Sequence, residues 1–276
     1  MMIFRRILLL LLVSTAAAIA APKQKITIKG SDTMVILVQK WTEDYPSKQQ
    51  VEFQVTGGGS GTGIAALING TTDICSSSRP MKEKEVKQLK DKTGNRGVEV
   101  RVARDGLSIY VNEKNKVKQL TLEQLKKIFT GKIRNWKEVG GIDAPIILYS
   151  RENSSGTYEF FKEHVLDKQD FDQRAQHMAG TAALVNAVAK DKNGIGYGGA
   201  AYLRGVKTVA VGKTAKGPFV NPNESTILSG QYPISRFLYF YLRQRPEGKT
   251  KEFIDWVISR EGQKVVSKVG YYPLKK

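Results

Sequence analysis

The feature that most constrains the fold is a regular alternation of short β-rich runs with helical stretches, beginning at Gln24. Within the first helical stretch, Val35, Val38 and Trp41 recur at the spacing of a buried helical face. This β-α-β-α-β-α order predicts an α/β fold in which helices cover both faces of a largely parallel sheet. The predicted strands and helices alternate as KITIKG, TMVILVQKWTEDY, QQVEFQVT, GTGIAALING, TTDICSSSRP and KEKEVKQLK.

Two long β-rich runs stand apart from this alternation. The first, VEVRVARDGLSIYVN, is interrupted by Asp105 and Gly106, and the second is YPISRFLYFYLR. Because these runs bracket a central α/β unit, they predict two lobes joined by two crossing strands. Residues 24–105 with 232–276 are expected to form lobe I, and residues 106–231 lobe II. A cleft between such lobes is a natural ligand site, since strand ends and helix starts face it.

Residues 1–20 have the pattern of a Sec-type signal peptide. Two arginines precede the apolar run Ile7–Val13, and small residues stand ahead of a cleavage site after Ala20. The apolar run is too short for a stable membrane-spanning helix, which disfavours the alternative of an uncleaved anchor. We therefore expect an exported protein that starts at Ala21 and lies in the periplasm or another extracytoplasmic compartment.

Composition excludes several classes of function. The single cysteine, Cys75, cannot form an internal disulfide, and His164 and His177 have no metal-ligand spacing. The net charge of +18 invites a nucleic-acid interpretation. The lysines are scattered among acids, however, which indicates solvated helix faces. We therefore expect no metal, no cofactor and no nucleic-acid partner.

Three strand-to-helix junctions carry unusual chemistry. They are GSDTM from Gly30, GGGSGTG from Gly57, and SRENSSGT from Ser150. Each offers short hydroxyl side chains beside the amide groups of a helix start, which together favour an anion. One such junction is ordinary helix capping. Three of them, with Arg151 attached to the last, indicate an anion site.

Catalytic interpretations of these junctions fail on the residues. A phosphate-cradling nucleotide loop would need lysine where Ile64 stands, and a nucleophile elbow would need glycine at Thr62. The stretch GTGIAA matches a relaxed dinucleotide fingerprint, but Asp73 follows too soon to bind a ribose.

These junctions resemble those of the phosphate-binding proteins of bacterial ABC transporters, which are type II periplasmic binding proteins. The likeness covers essentially the whole mature chain, and its most specific motif is Arg-x-x-x-Ser-Gly-Thr. The resemblance implies a two-lobed α/β fold with two hinge strands and a ligand cleft between the lobes. The phosphate-binding residues that it implies are Thr33, Met34, Ser60, Asp73, Arg151, Ser155, Gly156 and Thr157.

Asp73 is expected to accept the proton that phosphate retains near neutral pH and sulfate lacks. The alternative for Asp73 is a strand-end cap or a partner for Arg79. Met34 stands where the best-known members carry phenylalanine, and it is expected to act through its backbone N–H.

The resemblance implies a monomeric, non-enzymatic protein that captures inorganic phosphate and delivers it to an inner-membrane ABC permease. One alternative keeps the fold and changes the ligand to another oxyanion such as sulfate or molybdate. The other is a secreted phosphohydrolase that uses Ser60 or Thr33 as its nucleophile. It would need a metal cluster or a base, and the sequence indicates neither.

Overall fold

A computed structural model describes residues 23–274, so the predicted signal peptide at residues 1–20 lies outside the described residues. The described residues form mixed α/β structure with eleven strands and nine α-helices. The strands are β1 (Gln24–Gly30), β2 (Val51–Thr56), β3 (Ile74–Ser77), β4 (Val98–Asn112), β5 (Gln119–Thr121), β6 (Ile147–Arg151), β7 (Gln176–Met178), β8 (Gly194–Gly199), β9 (Val206–Gly212), β10 (Phe219–Val220) and β11 (Ser235–Leu242). The helices are α1 (Val35–Asp44), α2 (Ser60–Asn69), α3 (Glu83–Thr93), α4 (Leu122–Phe129), α5 (Gly156–His164), α6 (Thr181–Lys190), α7 (Glu224–Leu228), α8 (Gly248–Ile258) and α9 (Arg260–Val269).

The sheet follows the order β2-β1-β3-β11-β4-β8-β6-β7. β1 pairs in parallel with β2 and β3, as the alternation predicts. β11 and β4 instead run antiparallel to their neighbours in the middle of the order. The expectation of a largely parallel sheet therefore fails at these two long strands. Because β1, β2 and β3 are parallel, their carboxyl ends lie at one edge of the sheet, where the first two junctions begin.

β4 covers the whole of the first long predicted run. Its residues 98–106 pair with β11, and its residues 107–112 pair with β8 and β9. The pairing partner changes directly after Asp105 and Gly106, the dipeptide that interrupts the apolar pattern. One strand thus belongs to two differently composed parts of the sheet.

The two largest clusters of buried apolar residues lie on either side of that change. We call them the first core and the second core. The first core takes its residues from 26–103 and 238–271, and Trp41 and Phe240 meet edge to face within it. The second core takes its residues from 107–234 and contains the stacked rings of Phe161 and Tyr197. Burial of these apolar surfaces from water is the main stabilising contribution to each core.

The helical pattern of KTKEFIDWVISREGQKVVSKVG predicts a single C-terminal helix. This prediction is wrong, because α8 and α9 are separate helices. Ser259 lies between them in an extended conformation, and its Oγ accepts a hydrogen bond from the Gly262 N–H at 3.3 Å. This side chain caps α9. Gly262 also permits a close approach, since a Cβ there would lie 2.2 Å from the Trp256 carbonyl oxygen.

Cys75 is fully buried on β3, as a structural role predicts, and burial raises the pKa of its thiol. Among residues 23–274, no helix combines the length and apolar character needed to cross a membrane.

Candidate anion-binding site

The start of α5 lies against the start of α2, which brings two of the three junctions into contact. Ser155 caps α5, because its Oγ accepts hydrogen bonds from the N–H groups of Thr157 and Tyr158 at 3.2 and 3.3 Å. The neighbouring Ser154 carbonyl accepts from the Gly61 N–H at 2.9 Å. The junction therefore caps α5 through Ser155 and contacts the start of α2 through the backbone of Ser154.

Four buried hydroxyl groups form a connected group at this contact, and we call it the hydroxyl cluster. Thr33 Oγ1 and Thr157 Oγ1 are 2.9 Å apart, and Ser60 Oγ accepts from the Ser78 N–H at 3.0 Å. Ser78 Oγ lies 3.3 Å from Ser60 Oγ and 3.5 Å from Thr157 Oγ1. None of the four residues is more than 1% exposed. A hydroxyl can rotate its hydrogen toward a new acceptor, so the cluster can donate to the oxygens of an anion.

Gly156 is the residue that permits this close packing. A Cβ at this position would lie 2.3 Å from Ser60 Oγ and 2.8 Å from Ser78 Oγ. Contacts shorter than 3.0 Å require neighbouring atoms to shift. The glycine therefore lets the start of α5 approach the first core.

Arg151 is the charged residue of the site, and it joins the two cores. Its Nη2 donates to Asp32 Oδ2 at 2.8 Å and to Glu152 Oε1 at 2.7 Å, and its Nη1 donates to Thr181 Oγ1 at 2.8 Å. The Asp32 carboxylate also accepts from the Gly58 N–H at 2.9 Å. A guanidinium has five N–H groups, so these bonds and those of Nε leave one N–H of Nη1 for another acceptor.

The charges of this group are retained despite burial. Burial alone would lower the pKa of Arg151, but its hydrogen bond and ion pairs with Glu152 and Asp32 outweigh burial and raise that pKa. Burial likewise would raise the pKa of Glu152, but the hydrogen bond and ion pair with Arg151, together with backbone hydrogen bonds, outweigh burial and lower that pKa. Arg151 and Glu152 therefore remain a charged pair at neutral pH.

A second buried ion pair borders the hydroxyl cluster. Arg236 on β11 donates through Nε and Nη2 to Asp105 Oδ2 on β4, at 3.0 and 2.9 Å. Arg236 Nη2 also donates to Thr157 Oγ1 at 3.0 Å. The two long strands thus place a charged pair directly behind the start of α5.

The structure brings together most of the predicted site residues. Five of them lie at one contact between the two cores. Four contribute their side chains, and Gly156 contributes by having no Cβ. The residue that caps α5 lies beside them. Those residues are Thr33, Ser60, Arg151, Gly156, Thr157 and, as the cap, Ser155.

The structure does not bring Asp73 to this site, and its predicted role needs correction. Asp73 is exposed and precedes β3, where its Oδ2 accepts from the N–H and Oγ1 of Thr27 at 2.7 and 2.8 Å. The hydroxyl cluster follows the other end of β3. Strands rise about 3.3 Å per residue, so Asp73 lies roughly 16 Å from Ser78. Asp73 lies directly before β3, so its position resembles the alternative of a cap at a strand terminus. Arg79 pairs with Glu85 rather than with Asp73.

Met34 also differs from its predicted role. Its side chain is fully buried in the first core, and its N–H donates to the Ser31 carbonyl at 2.9 Å. The amide that was expected to bind the ligand therefore has an acceptor within its own turn.

Sequence reasoning missed four residues of the site: Asp32, Ser78, Asp105 and Arg236. Ser78 could have been found, because it follows the carboxyl end of β3 at the edge where Ser31 and Gly57 follow β1 and β2. Asp32 lies within the first junction, GSDTM, but it was not among the residues expected to bind the anion. No local pattern identifies Arg236, because its placement depends on the pairing of β11 with β4.

The arrangement is suited to binding an oxyanion. It combines buried hydroxyl donors and buried guanidinium groups with the Asp32 carboxylate, whose side chain is 19% exposed. Among residues 23–274, no group of three or more His, Cys, Asp or Glu side chains could hold a metal ion. His164 and His177 each place Nδ1 against a backbone carbonyl rather than a hydroxyl.

Comparisons with known proteins point the same way. The family model described as a PBP superfamily domain matches residues 15–261. The chain is 37% identical over 263 residues to the phosphate-binding protein PstS of Pseudomonas aeruginosa, covering 89% of this chain and 81% of that protein. It is 38% identical over 247 residues to PstS of Staphylococcus epidermidis, covering 85% and 74% respectively.

Solved structures are similar over nearly the same length. A Clostridium perfringens crystal structure with bound phosphate has a TM-score of 0.83 and 32% identity, covering 91% of this chain and all of that one. An ABC-type phosphate transport receptor from Vibrio cholerae has a TM-score of 0.72 and 29% identity, covering 90% of this chain and all of that one. The fold is therefore that of the type II periplasmic binding proteins, with two lobes around a cleft.

Proposed function

The chain belongs to the PBP superfamily and to the PstS family of phosphate-binding proteins, and we propose from that premise that its hydroxyl cluster binds orthophosphate. The protein is a solute-binding protein that captures phosphate for an ABC transporter, and not an enzyme. The proposal concerns which residues hold the anion and how the site selects it. The observation that carries it is that Arg151 bonds Asp32, the residue directly before Thr33 of the buried hydroxyl cluster.

The chemistry of phosphate explains the mixture of donors with a carboxylate. Near neutral pH the ligand is an anion that still carries a proton on oxygen. The hydroxyls of the cluster and the remaining N–H of Arg151 donate to its bare oxygens. Asp32 accepts the hydrogen bond from the P–O–H group. Its Oδ1 accepts from the Gly58 N–H and its Oδ2 from Arg151, and a carboxylate can accept about four hydrogen bonds, so it has room for one more. Asp32 thus takes the role that the sequence assigned to Asp73.

We also propose that two lobes close over the bound anion. We take residues 24–105 with 232–276 as lobe I and residues 106–231 as lobe II, with β4 and β11 as hinge strands. The residue ranges of the two cores support this division, apart from Tyr232 and Ile234, which pack in the second core. Three side-chain contacts join the two lobes. Thr33 meets Thr157, Asp32 meets Arg151, and Lys82 Nζ lies 2.6 Å from Glu159 Oε2. A bound anion would add donors and acceptors to both sides of this contact and favour the closed arrangement.

We also propose where the protein acts and what it serves, from its membership of the PstS family. The protein is exported by a cleaved signal peptide, acts outside the cytoplasm as a monomer and delivers phosphate to an inner-membrane permease. Binding of sulfate or molybdate is disfavoured, because Asp32 would face an oxygen without a proton. Phosphatase assays with and without added metal test the alternative of a secreted phosphohydrolase. Turnover would support that alternative.

Calorimetry with phosphate and sulfate tests the proposed function on the chain that starts at Ala21. Several charge-assisted hydrogen bonds of roughly 1.5–3 kcal/mol each are enough for micromolar or tighter binding, about −8 kcal/mol. We expect saturable phosphate binding at that level and sulfate binding at least about a thousandfold weaker. Absence of saturable phosphate binding would refute the proposed function.

Gly156→Ala should separate ligand binding from folding. Alanine is the better helix former, so the thermal midpoint without phosphate should stay unchanged or rise. The added Cβ meets Ser60 across the contact between the cores, so closure is hindered and the phosphate Kd should rise about tenfold to a hundredfold. Titration calorimetry measures the change, and Asn153→Ala, at an exposed position of the same junction, is the control. Unchanged affinity in Gly156→Ala would contradict the closed contact.

A further inference from the structure

Arg236 is held in a fixed position by Asp105 on the neighbouring strand. The two residues face each other in the register of β11 with β4. Their side chains are 2% and 0% exposed, and the Asp105 Oδ1 also accepts from the Ala200 N–H at 3.1 Å. Burial makes such an ion pair costly to break, because either partner alone would be an uncompensated buried charge. The guanidinium plane is therefore fixed by the hinge strands themselves.

The orientation of that plane directs its free edge toward the hydroxyl cluster. Nε and Nη2 both donate to Asp105 Oδ2, so one edge of the planar guanidinium is used by the carboxylate. The next edge carries Nη2 and Nη1, and Nη2 also donates to Thr157 Oγ1 at 3.0 Å. Nη1 consequently projects beside Thr157, which belongs to the hydroxyl cluster. The Phe160 ring covers one face of the group, 5.3 Å from Cζ.

Nη1 of Arg236 has no hydrogen-bond partner among residues 23–274, although it is buried. The residue as a whole is 6% exposed. A buried donor without an acceptor costs free energy, and a charged donor costs more than a neutral one. Arg151 has one N–H left for a ligand, whereas the free Nη1 of Arg236 has two. Arg236 is thus the larger unused donor beside the hydroxyl cluster.

We propose that Arg236 is a second arginine of the anion site, that its Nη1 donates to a phosphate oxygen bound at the hydroxyl cluster, and that Asp105 holds it in place. This inference rests on the proposed function and adds a ligand residue to it. It also links binding to closure, because Arg236 lies on a hinge strand and bonds Thr157 at the start of α5. A bound phosphate would connect that hinge strand to both sides of the cleft.

Arg236→Lys tests the inference. Lysine keeps a positive charge opposite Asp105 but has one nitrogen, so it cannot bond Asp105 and reach the ligand with a second terminal nitrogen. We expect the phosphate Kd to rise about tenfold or more, since a lost charge-assisted hydrogen bond has that effect. Arg79→Lys is the matched control. Arg79 is also buried and bonds Glu85 through both terminal nitrogens at 2.7 Å, but it makes no bond to the hydroxyl cluster.

A second variant covers the case in which Arg236→Lys does not fold. The double variant Asp105→Asn with Arg236→Gln removes both charges together, so no buried charge is left unpaired. It should fold and should also bind phosphate about tenfold or more weakly. If wild type binds phosphate and the folded Arg236 variants bind it with the same affinity, this inference is refuted and the proposed function still holds. A wild type that does not bind phosphate would refute the proposed function and this inference with it.

Discussion

Arg151→Ala is expected to weaken phosphate binding by about a thousandfold. One charge-assisted hydrogen bond contributes roughly 1.5–3 kcal/mol, and every 1.4 kcal/mol is about tenfold in Kd. The variant also leaves Asp32 and Glu152 without the cation that lies between them. Two unneutralised carboxylates would then repel the anion, which adds to the lost donor.

Titration calorimetry measures this effect, and two further variants make it interpretable. Arg151→Lys keeps the charge but lacks the fork of nitrogens, so its affinity should lie between those of wild type and Arg151→Ala. Arg174→Ala removes an arginine whose side chain is 51% exposed and pairs with Asp172 away from the site. Its affinity should equal that of wild type. A folded Arg151→Ala variant with wild-type affinity would show that Arg151 only supports the structure.

Asp32→Asn is expected to reduce the selectivity for phosphate over sulfate. A site built to pair with a ligand hydrogen can reject an analogue without it by about 10⁴-fold, because the buried acceptor is left unpaired. Sulfate would also place oxygen lone pairs against the carboxylate. An amide can donate to a bare oxygen, so the selectivity ratio should fall below about a hundredfold. Phosphate affinity itself should change less, since the lost acceptor is partly offset by the lost negative charge.

The measurement is a pair of titrations, with phosphate and with sulfate, for each protein. Asp73→Asn is the control, because Asp73 is an aspartate of the same lobe whose carboxylate bonds Thr27 at the opposite end of β3. We expect it to keep the wild-type ratio. If Asp73→Asn lowers the ratio and Asp32→Asn does not, the placement of the acceptor at Asp32 is wrong.

The fold was largely predictable because its signals are local. The alternation of runs indicates β1 to β3 with their helices, and β4 is visible as one long β-rich stretch. The break between α8 and α9 was missed, because a single serine cap in a helical pattern is a weak signal beside the apolar spacing around it. The short strands β5, β7 and β10 were also missed, since two or three residues carry too little pattern.

The site was predictable where one segment carries several of its residues. Arg151, Ser155, Gly156 and Thr157 lie within seven positions, and one strand-to-helix junction places them together. Asp73 was assigned to the wrong end of β3. The sequence shows that an aspartate adjoins this strand, but only the exact bounds of the strand show that it lies before the first residue. The pair of Arg236 with Asp105 joins residues far apart in sequence. Only the register of β11 with β4 brings them together.

A crystal structure of the chain with bound phosphate tests the central claim most directly, namely that the anion binds where the hydroxyl cluster lies beside the ion pair of Arg151 with Asp32. We predict a phosphate within hydrogen-bond distance, about 2.7–3.2 Å, of hydroxyls of the cluster, a guanidinium nitrogen and Asp32. The cavity at the other end of β3, lined by Asp73, Arg243 and neighbouring residues, should hold none. Phosphate in that cavity, with the hydroxyl cluster free of it, would contradict the account.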